Sequence, residues 1–555
     1  MRVGLRPVDG DDCGKLKGKC DVTDYIIVGA GSAGCILANR LSESPANHVT
    51  LLEAGGSDKQ VLYRMPAGFF GIMKAGIGNW HYECVPQAGL NGRTMYFPRG
   101  KVLGGSSSIN GLVFLRGNRG DFDGWAQSGA TGWSYDDCLP YFKKLESHQV
   151  GETQLHGGSG PVGLTTAPPE EEVSPITKAW YAAVRQAGLP VSDDLNGANP
   201  EGIGRPDANF TDGIRQSSST SYLSPARDRK NLRVITRAQA TRVIIENGRA
   251  VGVEYRRVRK TNVIRTDGEV ILSGGTVNSP QLLQLSGVGP ADLLNSLGIP
   301  VIHDLNGVGE NLQDHACFMI KQELTQPISA LPFTQPLRAT LALLQYAMFK
   351  SGPTLSNGLE AMAFFKTREG LEYPDIQFHF LNLLYEDHGR KVIQQHGFMA
   401  SANISKPASR GTVRIKSSDP MMAPDIDPSY FSDPADLRTA RDALRLARQI
   451  ISMPAFDELR GKEYAPGNHV QSDDELDQYI RNTANSIYHA VGTCRMGTGP
   501  MAVVDPQLRV HGITGLRVVD ASVMPDVVSA NTNAAVMMIA ERAADLIQGR
   551  EPLAR

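Results

Sequence analysis

The chain has no apolar run near the roughly 18 residues that a bilayer span requires, so no transmembrane helix is expected. Its first twenty residues, MRVGLRPVDGDDCGKLKGKC, have no hydrophobic centre and read as a polar extension rather than a secretory signal. Cysteine is scarce: seven in 555 residues, with no C-x-x-C pair and no accompanying histidine cluster. That argues for reduced thiols in a cytoplasmic protein, with Cys13 and Cys20 open to pairing or metal binding. No histidine pair has H-E-x-x-H spacing, and no metal site is expected. Neither sign of charge dominates, 56 Lys and Arg against 58 Asp and Glu. The basic excess of a nucleic-acid binder is therefore missing. Internal repeats and low-complexity tracts are absent too. What remains is a globular composition rich in glycine (58) on a chain long enough for two closely packed domains.

The most informative stretch is Tyr25 to Gly34, YIIVGAGSAG, an apolar β-branched run breaking into Gly29-x-Gly31-x-x-Gly34. A helical pattern follows, then a second apolar run, His48 to Leu52, ending in Glu53. These are the parts of a βαβ dinucleotide site. Gly29 makes the turn, Gly31 lets backbone approach a pyrophosphate, and Gly34 lets helix and strand pack. The phosphates would sit on unpaired N–H groups at the helix N-terminus. Glu53, 19 residues past Gly34, stands where a ribose-binding acid belongs. The motif alone does not choose between FAD and NAD.

Further on, Gly100 to Asn110 is a second Gly/Ser-rich stretch, and Ser134-x-x-Asp137 is the capping signal of a helix to Leu145. Strand patterns cover Leu232–Thr236, Arg242–Glu246, Val251–Tyr255 and Glu269–Ser273, with a turn at Asn247-Gly248 and a helix at Pro280–Leu285. From about 313 to 480 the texture changes: an amphipathic helix at Leu337–Phe349, strands at Asp375–Phe380 and Gly411–Lys416, and a helix at Leu437–Ile451. Strand Leu516–Asp520 and helix Ala534–Ile547 return to α/β texture. A nucleotide lobe built from separated segments, with a second lobe inserted, is expected.

GKVLGGSSSINGLVFLRGNRGDFD (100–123) and GTVNSPQLLQLSGVG (275–289) resemble the paired signatures of the glucose–methanol–choline (GMC) oxidoreductases. Similar blocks recur in the family's order: GVGENLQDH (307–315), SRGTVRIKSSDP (409–420), YHAVGTCRMG (488–497), VVDASVMP (518–525) and NTNAAVMMIAERAA (531–544). WSYDDCLPYF (133–142) and HGGSGPVGLTT (156–166) look like the bacterial choline dehydrogenase, primary-alcohol dehydrogenase and hydroxymethylfurfural oxidase members. The resemblance implies an α/β (α+β) fold, with a Rossmann-like FAD-binding domain over 21–165, 215–312 and 485–550. The inserted substrate domain, 166–214 and 313–484, would be an antiparallel sheet covered by helices. The extension would occupy 1–20.

The resemblance also implies FAD, held by Gly29, Gly31, Ser32, Ala33, Gly34, Glu53 and Ala54 at the dinucleotide motif. Leu103, Gly104, Gly105, Asn110, Gly111, Leu112 and Val113 would lie along the flavin. Val243 resembles the adenine contact and Trp80 the aromatic near the ring; Tyr488, Asp520, Ala521 and Asn533 match further cofactor positions. Some members attach FAD through a histidine just before the asparagine; that position is Ile109, so non-covalent FAD is expected.

An alkoxide releases hydride far better than an alcohol does, so a base near neutral pKa suits the chemistry, and imidazole fits. His489 matches the family's base. Its partner, His or Asn in the family, is placed at Asn533 by counting back from the Met-Ile-Ala helix, leaving Asn531 as a helix cap. His315 matches a structural connection in the resembling proteins. His379 alternates on a strand and faces either cavity or core; Glu360 is placed to face a cationic substrate such as choline, but related enzymes for neutral alcohols carry an acid in the same neighbourhood, so it does not single out choline. The expected partners are an alcohol and an electron acceptor (quinone, cytochrome or oxygen). Peripheral membrane association and oligomerisation stay open. A non-redox lyase of the same fold is the alternative.

Overall fold

The computed structural model describes residues 23–554. The extension expected over 1–20, with Cys13 and Cys20, lies outside the described residues. The first sheet runs in the order 232–236, 49–53, 23–28, 260–272, 249–257 and 239–246. Its first four strands are parallel. Strand Val49–Glu53 is buried throughout and reads as one apolar run because both faces are covered. Lys260–Leu272 does two jobs. Its first half closes an antiparallel hairpin with 249–257, and its last residues lie between 23–28 and 516–518. The turn at Asn247-Gly248, which joins 239–246 to 249–257, has φ of +50° and +74°, the left-handed pair that a two-residue turn demands.

Four helices matter to the site: α1 (Ser32–Leu41), α2 (Gly275–Leu285), α3 (Pro336–Phe349) and α4 (Asn533–Ile547). Helix α4 packs on α1. The join is a buried ion pair in which Arg40 Nη2 donates to Glu541 Oε1 at 2.7 Å, with Tyr222 donating to the same oxygen. Helix α2 begins five residues before its expected start and carries Pro280 in its interior. Pro280 has no N–H for the carbonyl of Thr276, and the Thr493 hydroxyl donates to that oxygen instead, at 2.6 Å. The tertiary bond removes the reason to start the helix at proline.

The second sheet is antiparallel, in the order 460–465, 316–324, 397–404, 376–381, 362–365, 202–204, and helix Pro434–Ile451 covers it. Asn485–Ser486 still pairs with Ala316–Cys317 in this sheet. The return to the first lobe therefore falls just after residue 486, at the segment that carries His489. Helix α3 buries only Ala342 and Tyr346, so the amphipathic packing expected of it is not realised. Among the described residues no helix is long and apolar enough to cross a membrane.

Candidate active site

Between the two sheets runs a cleft of about 890 Å³, lined by segments of both lobes. At one end the Gly29 turn, φ +101°, brings the chain off its strand. A Cβ on Gly34 would sit 1.9 Å from the Gly29 carbonyl oxygen, so this glycine lets α1 pack onto the strand and does not line the cleft. Gly31 lines the cleft, and a Cβ there would meet nothing closer than 3.9 Å. Facing it is Gly105, whose own Cβ would come within 2.6 Å of Gly31 Cα. The two Gly-rich loops therefore touch backbone to backbone.

Helices α1 and α2 both point their N-termini into this cleft, and neither has an acidic first turn or a side-chain cap. The leading N–H groups of α1 are donors in need of an anion, whereas the first of α2, Gly275 N, already donates to Asp520. A diphosphate-bridged dinucleotide such as FAD fits this donor set. Glu53 lines the same end. Its carboxylate accepts from the N–H of Ala30 (2.8 Å) and of Gly55 (2.7 Å), keeping lone pairs for a ribose hydroxyl. Burial raises it to about 7. Ser32, Ala33, Ala54, Trp80, Asn110, Gly111, Leu112, Val113, Tyr488 and Ala521 also line the cleft.

Besides Gly34, three expected cofactor residues do not reach it. Val243 is in the core, its N–H committed to Ser286 Oγ at 2.8 Å, and Ala238–Ala240 of the same strand region lines the cleft instead. Leu103 is fully buried, and Gly104, φ +86°, lies against Ser108 and Ser219 under the loop. Asp520 does border the cleft, but its four hydrogen bonds, from Gly275 N, Ser279 Oγ, and Ser522 N and Oγ, make it the clasp of α2 and the 521–523 turn.

At the other end stands His489, 8% exposed. Tyr488 before it has φ +71°, costly for a residue with a side chain, of order 1–3 kcal/mol. The turn is held by Tyr488 N donating to Ser486 Oγ, by Arg99 Nη1 donating to Tyr488 O, and by the Tyr488 hydroxyl against His388 Nδ1. Asp314 braces the same place, accepting from the Ser486 and Tyr430 hydroxyls and from the N–H of His315. Nε2 of His489 lies 3.1 Å from Asn531 Nδ2 and its Nδ1 lies 2.9 Å from His315 Nδ1. Burial first, then His315, His379 and Arg99, push His489 well below its ordinary pKa.

The partner expectation is corrected here. Asn533 does not face His489; its Oδ1 accepts from Ser32 Oγ at 2.8 Å, at the dinucleotide end. Asn531 occupies the expected place, and it is no cap, since α4 starts at Asn533 with Thr532 before it. His379 lines the cleft, buried and pushed down to about 4 by burial. Glu360 does not. It accepts from Ser174 Oγ and Thr177 Oγ1, both at 2.6 Å, at the start of helix Pro175–Gln186. Sequence reasoning missed Asn531, the contact role of His315, and Ala238–Ala240. The paired Asn-Thr-Asn was the one visible signal.

Profiles of the GMC oxidoreductases match residues 23–317 and 407–540. The chain is 46% identical to an oxygen-dependent choline dehydrogenase of Pseudomonas aeruginosa, covering 96% of each chain. It is 45% identical to one from Escherichia coli with the same coverage. Among solved structures, pyridoxine 4-oxidase from Mesorbium loti superposes with a TM-score of 0.87 at 30% identity, over 95% of this chain and 100% of that one. An FAD-dependent oxidoreductase from Chaetomium thermophilum gives 0.86 at 28%, over 95% and 99%. With a cleft lined by both an α/β lobe and an antiparallel one, these likenesses show that the chain belongs to the GMC oxidoreductase family, as an FAD-dependent alcohol dehydrogenase or oxidase.

Proposed function

We propose that the protein oxidises a primary alcohol to the aldehyde, with Nε2 of His489 taking the hydroxyl proton and the Asn531 amide holding the substrate oxygen. FAD, when bound, supplies the acceptor for the hydride. The observation that carries this reading is His489 itself, buried, uncharged and presenting Nε2 beside an amide donor. A neutral imidazole removes a proton, whereas an already protonated one does not. Asn531 donates without titrating, so the pair has one base. Buried Ile109 has no nucleophile, which supports FAD held without a covalent bond at that position. Choline is the first substrate to test, because the curated relatives are named for it. Glu360 gives no support for choline, being engaged away from the cleft.

The acceptor side has a surface of its own. Helix α3 exposes Leu337 (74%), Leu341, Met348 and Phe349 (69%). Arg338 and Lys350 are the only charges between residues 329 and 359. Next to it, joined by Ala67 N donating to Thr354 O, lies segment 61–76, whose Phe69, Phe70 and Met73 line the cleft. We read this apolar, cation-only face as resting on an anionic bilayer from the cytoplasmic side, where a lipid-soluble acceptor would reach the cleft.

The test is anaerobic mixing of the flavin-loaded enzyme with choline and with neutral primary alcohols. At least one should bleach the flavin, and His489→Ala should retain FAD while bleaching about 100-fold or more slowly. Undiminished bleaching in that variant would sink the reading. Substrate cleavage without bleaching would favour the lyase.

A further inference from the structure

The contact between His489 and His315 joins Nδ1 to Nδ1 at 2.9 Å, and the other nitrogen of His315, Nε2, lies 3.1 Å from the carbonyl oxygen of Ser405. We infer that His315 is a positioning residue whose bond to Ser405 dictates the tautomer of His489, placing the proton on Nδ1 and the lone pair on Nε2 toward the substrate. The inference rests on His489 being the base.

The argument is a matter of counting protons. A carbonyl oxygen only accepts, so Nε2 of His315 must carry hydrogen. The His315 ring is fully buried, and burial pushes it down to about 3, so it holds that one proton and no second. Its Nδ1 is then a bare lone pair. At 2.9 Å the facing Nδ1 of His489 must donate, because two lone pairs would repel at that distance. His489 is also uncharged, so its single proton is spent there and Nε2 is left free. The amide donor of Asn531 at 3.1 Å agrees with an acceptor at that nitrogen. A free histidine side chain favours the opposite tautomer, with the proton on Nε2, where the substrate hydroxyl must arrive. The Ser405 carbonyl therefore reaches the reacting atom through two rings, in the way that the outer partner of a ligating or catalytic histidine sets its ring state.

The geometry is anchored. Ser405 follows the Gly397–Ile404 strand and His315 precedes the strand paired with it. The backbone N–H of His315 is held by Asp314 Oδ1 at 3.0 Å. The titratable and charged groups around the two rings are Arg99, Asp314, His379 and Lys406. Of these only Asp314 is acidic, and its carboxylate is engaged by Tyr430 and Ser486. Among the described residues no carboxylate is hydrogen-bonded to the ring of either histidine. The cation formed at His489 during turnover is accordingly poorly stabilised and returns its proton readily.

The test uses the flavin-loaded full chain with ¹⁵N-labelled histidine, the His489 signals being assigned by their loss in His489→Gln. Nδ1 should be protonated and Nε2 bare. In His315→Phe, which keeps a ring but no acceptor, the proton should move toward Nε2, and kcat/KM should fall on the order of 10²-fold. Affinity for a non-oxidisable amine or alcohol analogue should stay within about twofold. His315→Gln, whose amide oxygen accepts from Nδ1, should restore most of the loss and the tautomer together. A wild-type His489 protonated on Nε2 overturns the inference, as does an unchanged tautomer in His315→Phe. Should the Phe variant fail to fold, the wild-type spectrum decides. Loss of the His489 base reading would show separately, as turnover surviving in His489→Gln while the tautomer remains as described.

Discussion

Asn531 and Asn533 stand two positions apart and serve opposite ends of the cleft. Asn531 lies before α4 and reaches His489, whereas Asn533 opens the helix and meets Ser32 at the start of α1. Asn531→Ala should lower kcat/KM about 10²- to 10³-fold with flavin content intact. Asn533→Ala should weaken flavin retention and leave the chemical step of the loaded enzyme within about threefold. Rapid-mixing reduction rates and absorbance after gel filtration separate the two, and exchanged phenotypes would reverse the assignment. The same scale sets a pH dependence. The uncharged form of His489 is active, and its pKa lies below the ordinary 6.5. The acid limb of kcat/KM should therefore fall below pH 6.5, with the rate level above it; a limb centred near 7 would contradict the burial. Counting along a motif reached the right block and the wrong asparagine, since which amide faces His489 depends on where α4 begins and on a contact 501 residues away.

At the scale of elements, local chemistry was legible where the chain settles its own geometry. The Asn247-Gly248 turn and the Ser134–Asp137 capping box are both present where their residues stand. It was not legible where a distant group intervenes. Thr493 relieves the proline inside α2, and Ser286 takes the N–H of Val243, the residue expected to contact adenine. Helix α3 is the other such case: its period is helical, yet of its side chains only Ala342 and Tyr346 are buried. Vesicles of phosphatidylcholine with phosphatidylglycerol should co-sediment the protein, and pure phosphatidylcholine should do so less. High salt should weaken the binding, and the pair Leu341→Glu with Phe349→Glu should abolish it with turnover on a soluble dye preserved. Equal binding by wild type and variant would remove the membrane reading, and a dimer broken by the variant would assign the face to a second copy.

Across the whole molecule, the two-lobed plan was legible from the alternation of textures. The tie between segments was not. His148, His156 and Asp207 bring ligand atoms within 4.8 Å of one another, but these nitrogens are already spent. His156 Nε2 meets Asp194 at 2.9 Å and its Nδ1 meets Glu146 at 3.2 Å, beside Arg116. Burial lowers His156, and the bonds to Asp194 and Glu146 outweigh it, leaving the ring raised to about 9. A raised histidine stabilises the fold fully below pH 6.5 and loses that contribution as pH climbs through 9. The melting temperature should drop over that window in wild type and less steeply in His156→Gln; parallel slopes would show that the ring is not charged.

The strand 23–28 shares its neighbour 260–272 with 516–518, and α1 leans on α4. On the ribosome, at ~5–20 residues per second, the opening βαβ unit therefore waits roughly 25 to 100 seconds for the last pieces of its own lobe. Newborn chains spend that interval with a half-built nucleotide cradle, a period in which chaperones or early flavin capture would govern yield.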